Sequence, residues 1–217
     1  LGFAEALGGV GKPAVDALIE ALLHHSNEVV RRAAGKTLTL IEDPVAIPHL
    51  IHALLNDEDT VVQASAIGAL ARIGIASVTP LLEVLASPNS SASNKGQAAW
   101  GLAFIGALAK AKLYTAYNCD SPAVRAAVVG AIAKIAQEDR HDTQSLNLLV
   151  NALKDTVADV RSEAAAVLGN LKYQPAIPTL LDLLHHPEAE TRQSAALSLM
   201  KIGDRQSIPA LQTALDQ

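Results

Sequence analysis

The sequence predicts an all-α solenoid of stacked helix pairs, and three observations lead there. The 217-residue chain repeats itself about every 32 residues. With Arg31 in VVRRAAGKTL as an anchor, the equivalents are Gln63, Lys95, Arg125, Arg161 and Arg192, at steps of 32, 32, 30, 36 and 31 residues. Seven residues after each anchor stands an aliphatic side chain: Leu38, Leu70, Leu102, Ile132, Leu168 and Leu199. No stretch alternates apolar and polar residues as a half-buried strand would. A period in this range without a strand pattern means helix pairs that bury each other's apolar faces. The chain therefore reads as one continuous domain over 1–217, of about six helix pairs ending in a half repeat.

The elements follow in order. Residues 1–11 (LGFAEALGGVG) match the ends of later second helices, so they predict the remnant of an upstream repeat whose Phe3 and Leu7 pack inward. First helices are expected at 13–23, 47–55, 79–86, 146–153, 177–184 and 208–215. Pro13, Pro48, Pro80, Pro178 and Pro209 stand in their first turns, where the N–H groups lack intrahelical partners. Second helices open at the anchors, behind the capping residues Ser26 and Asn27, Asp57 to Asp59, Ser93 and Asn94, Asp120 and Ser121, and Asp155. Gly74, Gly106 and Gly203 follow second helices and suit a left-handed cap. Two segments break the rhythm, SPNSSASN (87–94) and AQEDRHDTQS (136–145), and both predict surface loops.

Composition narrows the function. Half the residues are hydrophobic and only six are aromatic, so Ala, Leu, Ile and Val fill a tightly stacked core. A net charge of −5 argues against a nucleic-acid partner, because counterion release needs a basic footprint. The lone Cys119 excludes an internal disulfide and any multi-cysteine zinc site, which suits a reducing cytoplasm. The longest apolar run, 98–109, falls short of the ~20 residues that a membrane span needs. No membrane insertion is expected.

The recurring pattern AxxALGxxGxxAxxxLxxxL…VRxxAAxAL resembles the bacterial HEAT-like repeat of the phycobilisome lyases. The nearest stretches are AEALGGVGKPAVDALIEAL and VRSEAAAVLGNLKYQPAIPTLLDLL. The resemblance implies a right-handed superhelix with second helices lining the concave side. It also implies work on phycobiliproteins: attachment of bilin to their cysteines, help in folding, or removal of pigment. On that resemblance the expected partners are phycobiliprotein subunits and a second HEAT-repeat subunit. No cofactor is required, and a linear tetrapyrrole such as phycocyanobilin is the implied substrate. No catalytic residue carries over, and a non-enzymatic adaptor is the alternative.

Candidate chemistry is sparse. Arg31, Arg125, Arg161 and Arg192 read as an inter-repeat ladder paired with turn acids such as Asp59, Asp120 or Asp159. An anion-binding ladder is the other reading. His24–His25 and His185–His186 end first helices. His49 and His52 share a helical face but lack a third ligand, so no metal is assigned. Cys119 aligns with the turn residues His25, Asp57, Asp155 and His186, and the Asp120 carboxylate beside it disfavours a thiolate nucleophile.

Four of the six aromatics, Trp100, Phe104, Tyr114 and Tyr117, fall within residues 100–117. Phe104 stands nine past its anchor, where other units have Leu40, Arg72, Lys134, Asn170 and Lys201, so it should face outward with Trp100 one turn before it. Tyr117 aligns with Leu23, Leu55, Leu153 and Leu184 and is expected in the core. The candidate binding patch is therefore Trp100 and Phe104, flanked by Arg72 and Lys134 on adjoining helices, with Tyr114 and Cys119 as weaker candidates. The competing reading has the two rings merely covering Gly68 and Gly130.

Overall fold

The computed structural model describes residues 9–215, and among them the chain forms thirteen α-helices and no strand. The expected N-terminal remnant lies mostly outside the described residues. The helices fall into two compact units, Leu1–Lys112 and Leu113–Gln217.

The first unit holds three pairs: α1 (Val15–His24) with α2 (Glu28–Ile41), α3 (Ile47–Asn56) with α4 (Thr60–Ile73), and α5 (Val78–Ala86) with α6 (Ala92–Ile105). Helix α7 (Lys110–Tyr117) crosses the boundary between the units. The second unit continues with α8 (Pro122–Glu138), α9 (Thr143–Ala152), α10 (Ala158–Asn170), α11 (Ile177–Leu183), α12 (Ala189–Ile202) and α13 (Ile208–Leu215). Within each unit the second helices stack in series, α2 on α4 on α6 and α8 on α10 on α12.

Local signals place these elements. Asn27, Asp59, Ser91 and Ser121 each accept a backbone N–H at the start of α2, α4, α6 and α8, satisfying donors that the helix itself cannot. Asn94 proves not to be a cap: it is buried inside α6 and donates to Leu54 O at 2.7 Å. Gly74, Gly106 and Gly203 all have positive φ, but only Gly203 is left-handed helical. The ψ values of −132° at Gly74 and −137° at Gly106 put them in a region open essentially to glycine alone. Of the two expected loops, 136–145 is largely absorbed, because α8 runs on to Glu138 and buries Ala136 before α9 opens at Thr143.

The core is aliphatic. The six residues seven past the anchors are each at most 1% exposed. By the ~25 cal/mol per Å² of apolar burial, each such Leu or Ile stabilises the stack by roughly 1.5–3 kcal/mol. Close helix approach is set by small residues: a Cβ at Gly35 would lie 3.0 Å from Ser65 Cβ, and one at Gly169 would lie 2.9 Å from Ser198 Cα. Thr60–Ala86 is long and apolar enough, on composition alone, to cross a membrane. Gly74 divides it into α4 and α5, and α4 packs on α2, α3 and α6.

The anchors do form ladders, with different acids from those expected. Each anchor that is Arg or Gln donates to the carbonyl six residues earlier: Arg31 to His25, Gln63 to Asp57, Arg125 to Cys119, Arg161 to Asp155 and Arg192 to His186. Arg31 also forks onto Asp57 at 2.8 and 3.1 Å, and Arg125 onto Asp155 at 2.8 and 3.0 Å. Arg161 meets Glu188 and Thr191. The acid thus comes from the turn of the following repeat, whereas the sequence pointed to Asp120 and Asp159. Asp59 does take part, but its partner is Arg32.

The Arg32 hydrogen bond holds the Asp59 carboxyl at about 2, against the opposing effect of burial and with help from the Val62 and Val61 N–H groups and the Arg32 charge. A depressed folded-state value adds stability that is complete above the unfolded value of 3.8 and is lost as pH falls through about 2. Asp59→Asn keeps a good cap but removes this titration. Its stability should therefore fall less steeply than wild type between pH 4 and 2 in acid denaturation monitored by circular dichroism. Parallel curves would remove Asp59 as a contributor.

Candidate functional site

The five Arg and Gln anchors and their turns do structural work, so the search for a site moves to what the repeats do not share. On α6 the exposed stripe at four-residue spacing carries Gly96, Trp100 and Phe104. Trp100 is 52% exposed and Phe104 48%, and their rings stack with centroids 5.3 Å apart at an interplanar angle of 29°. Stacked rings of this kind contribute ~0.5–1.5 kcal/mol to each other, too little to explain leaving two large apolar groups in water. The covering role does not hold at Gly68, where a Cβ would find no atom within 4 Å.

A groove of about 440 Å³ runs beside Trp100, lined by Ala64 and Ile67 of α4 and by Ser93, Gly96, Gln97 and Trp100 of α6. The two helices that bound it come close: a Cβ on Gly101 would lie 2.8 Å from Ile67 Cδ1. This part of the stack also lacks the charged ladder. Where other repeats pair Arg with an acid, Gln97 Nε2 donates to Gln63 Oε1 at 3.2 Å.

Of the two expected flanking cations, Arg72 is committed elsewhere. Arg72 stands on α4 but turns to Glu42 at the end of α2, because that carboxylate lies one repeat back at the same level. Lys134 lies half-buried on α8 of the second unit. Tyr114 belongs to that unit too, with its hydroxyl 3.0 Å from Ser145 Oγ. Tyr117 is half-buried and not in the core: its hydroxyl donates to Asp155 Oδ2 at 3.2 Å. Burial first, then the Asp155 charge and hydrogen bond, push that phenol up to about 12. Burial by itself would raise Asp155, but the hydrogen bonds from Arg125, Val157 N–H and Tyr117 and the Arg125 charge outweigh it and hold the carboxyl below its ordinary range.

Cys119 is half-buried in a turn cavity of about 500 Å³ with Tyr117, Arg125 and Asp155. Its repeat equivalents explain the place. His25 and His186 accept, through Nδ1, the N–H two residues on, and Asp57 and Asp155 do the same through Oδ1. Cys119 holds the corresponding position, with its Sγ 3.7 Å from Ser121 O. The second histidine of each pair, His25 and His186, therefore closes a turn. Among the described residues no cluster of three or more His, Cys, Asp or Glu side chains is arranged to hold a metal ion.

Stacked helix pairs tied by an Arg–acid ladder, with one aromatic groove on the second-helix face, define a HEAT-repeat protein. The family model for HEAT repeats matches residues 2–71 and 146–217, and that for the PBS lyase HEAT-like repeat matches residues 62–87. The bilin biosynthesis protein MpeU of Synechococcus sp. (strain WH8020) is 40% identical over 219 residues, covering 100% of this chain and 73% of MpeU. The phycocyanobilin lyase subunit alpha of Picosynechococcus sp. (strain ATCC 27264 / PCC 7002 / PR-6) is 41% identical over 81 residues, or 34% of this chain and 30% of that protein. The chain belongs to the phycobilisome-lyase type of HEAT-like repeat proteins.

Two solved structures show similar folds. An archaeal HEAT-like repeats protein from Thermococcus onnurineus NA1 has a TM-score of 0.47 at 16% identity and covers 92% of each chain. The CpcE and CpcF complex of phycocyanin lyase from Nostoc sp. PCC7120 has a TM-score of 0.40 at 22% identity, covering 98% of this chain and 87% of that one.

The groove residues Gly96 and Gln97 were not singled out from the sequence, and Ser93 was expected only as a cap, a role that Ser91 takes. Their signal is present only as a departure: the third repeat replaces Arg with Lys95 and supplies no turn acid in SPNSSASN. Trp100→Ala should leave the melting temperature nearly unchanged, since an exposed ring packs little. It should weaken binding to the protein's partner by ~1–3 kcal/mol, because such energy concentrates in a few aromatic anchors. Titration against immobilised phycocyanin reads the second effect, and full affinity in this variant would exclude the ring as an anchor.

Proposed function

We propose that this chain acts on phycobiliproteins and promotes attachment or removal of their bilin chromophore. The observation that carries the reading is the 40% identity to a bilin biosynthesis protein along the whole chain. The stacked, exposed Trp100–Phe104 pair beside an apolar groove supports it, since it offers a flat surface of the kind a conjugated pigment packs on. The partners are phycobiliprotein subunits, with a second HEAT-repeat subunit completing the activity in the cytoplasm. No cofactor is required, and a linear tetrapyrrole such as phycocyanobilin is substrate.

In this reading the chain's contribution is positioning. It would hold the bilin against a cysteine of the phycobiliprotein, converting a bimolecular addition into an effectively unimolecular one. The test mixes the protein with apo-phycocyanin and phycocyanobilin, and separately with holo-phycocyanin. Covalent pigment is then followed on a denaturing gel beside visible absorbance. Pigment gained by the apoprotein or lost from the holoprotein supports the proposal. Binding to phycocyanin with no change in either would make the protein an adaptor.

A further inference from the structure

Three glycines of the second helices have no packing reason to be glycine. A Cβ at Gly68, Gly96 or Gly130 would meet nothing within 4 Å, whereas one at Gly35, Gly101 or Gly169 would come within 3.0 Å of an atom on the neighbouring helix. Glycine inside a helix costs stability against alanine, so the first three carry a cost that packing does not recover. Two of them lie in the first unit around Trp100, Gly96 one turn before it on α6 and Gly68 at the matching place on α4, 32 residues earlier. A bare helix surface of this kind lets a ligand lie against the backbone.

The far side of Gly68 carries a charge. Helix α2 meets α4 through residues 30 apart, Gly35 with Ser65 and Glu42 with Arg72, and α4 meets α6 through residues 34 apart, Ile67 with Gly101 and Gln63 with Gln97. Lys36 and Trp100, 64 apart in sequence, are therefore level with each other on either side of α4. The neighbouring cations are neutralised, Arg32 by Asp59 and Arg72 by Glu42. Lys36 is exposed and meets no acid among the described residues. Axes of stacked helices are ~8–10 Å apart, so the backbones of Lys36 and Trp100 are separated by about 16–20 Å. A single aromatic ring does not span that distance, but linked rings carrying an acid side arm do. Leu40 and Phe104, 56% and 48% exposed, continue the apolar surface one turn along on either side.

We propose that the free bilin lies across Gly68 on this face, with Trp100 covering one ring and the Lys36 ammonium pairing with a propionate carboxylate. The proposal rests on the bilin reading above and gives it a place and a carboxylate-binding residue. Gly68 is the floor that keeps the span between ring and cation open.

Equilibrium dialysis of the full chain against phycocyanobilin, and against its dimethyl ester, separates the carboxylate from the rings. Wild type should bind the acid about three- to tenfold more tightly than the ester, the worth of one solvent-facing charged contact. Lys36→Met should bind the two alike. Gly68→Leu should bind either one about tenfold or more weakly, with a melting temperature equal to or above wild type, because leucine suits a helix but fills the ligand's place. A wild-type preference for the acid in Lys36→Met, or wild-type affinity in Gly68→Leu, overturns the proposal. A lowered melting temperature in Gly68→Leu also overturns it, since the glycine would then serve packing. So does absence of binding by wild type; pigment still transferred or removed in the gel assay would then leave the proposed function standing with its site elsewhere. Pigment bound as described but never transferred or removed would sink that function and leave this site.

Discussion

Arg161→Ala is expected to lower the free energy of unfolding by ~2–4 kcal/mol, measured by urea denaturation. Arg161 is 4% exposed, and its guanidinium bonds Asp155 O at 2.6 Å, Thr191 Oγ1 at 3.1 and 2.9 Å, and the Glu188 carboxylate. Alanine would leave the Thr191 hydroxyl and the Asp155 carbonyl short of a donor and open a gap where the stem packs. The ion pair itself is the smaller part. The Glu188 side chain is 52% exposed and can return to water, so Glu188→Gln should cost less than ~1 kcal/mol. If Glu188→Gln were as damaging as Arg161→Ala, the charge pair and not the buried hydrogen bonds would hold α10 to α12.

Gly169→Ala is the other substitution with a large expected effect, a loss of ~1–3 kcal/mol despite the better helix propensity of alanine. Its Cβ would fall 2.8 Å from Ser198 Oγ and 2.9 Å from Ser198 Cα. Ser198 cannot swing away cheaply, because its hydroxyl donates to Ala165 O at 2.7 Å and its backbone is part of α12. Two comparisons separate crowding from propensity. Gly101→Ala meets only movable side-chain ends of Ile67 and Leu81 and should cost less. Gly68→Ala meets nothing within 4 Å and should stabilise by ~0.5–1 kcal/mol. Thermal unfolding of the three variants in parallel tests the order, and Gly169→Ala as stable as wild type would show that α10 and α12 can separate at little cost.

The candidate site was legible to different depths. Trp100 and Phe104 were found because large apolar groups occupied a position that is polar in several other repeats, a comparison the sequence makes against itself. Tyr117 was misplaced for the same reason turned around. It was aligned with Leu23, Leu55, Leu153 and Leu184; the last two are fully buried, but Leu23 is only half-buried and Leu55 is 37% exposed, with Leu22 and Leu54 buried in their place. An alignment good to one residue does not fix a helix face, since one residue is ~100° of rotation. Arg72 was rightly placed on the helix next to Phe104. Its side-chain direction was not, because that depended on Glu42, 30 residues away.

What the sequence by itself determined is everything governed by local period and capping chemistry. That covers the helix pairs, the aliphatic residues seven past each anchor, the glycines with positive φ, and the exposed aromatic pair. What only the tertiary structure decided are the partners across repeats: Arg31 with Asp57, Arg125 with Asp155, Arg161 with Glu188 and Thr191, and the Gln63–Gln97 amides beside the groove. The physical reason is register. A helix fixes which residues share its face, but which residue meets which across two stacked helices depends on axial offset and closeness. Those are set by the small side chains and glycines at each crossing, Gly35 on Ser65, Gly101 on Ile67 and Gly169 on Ser198.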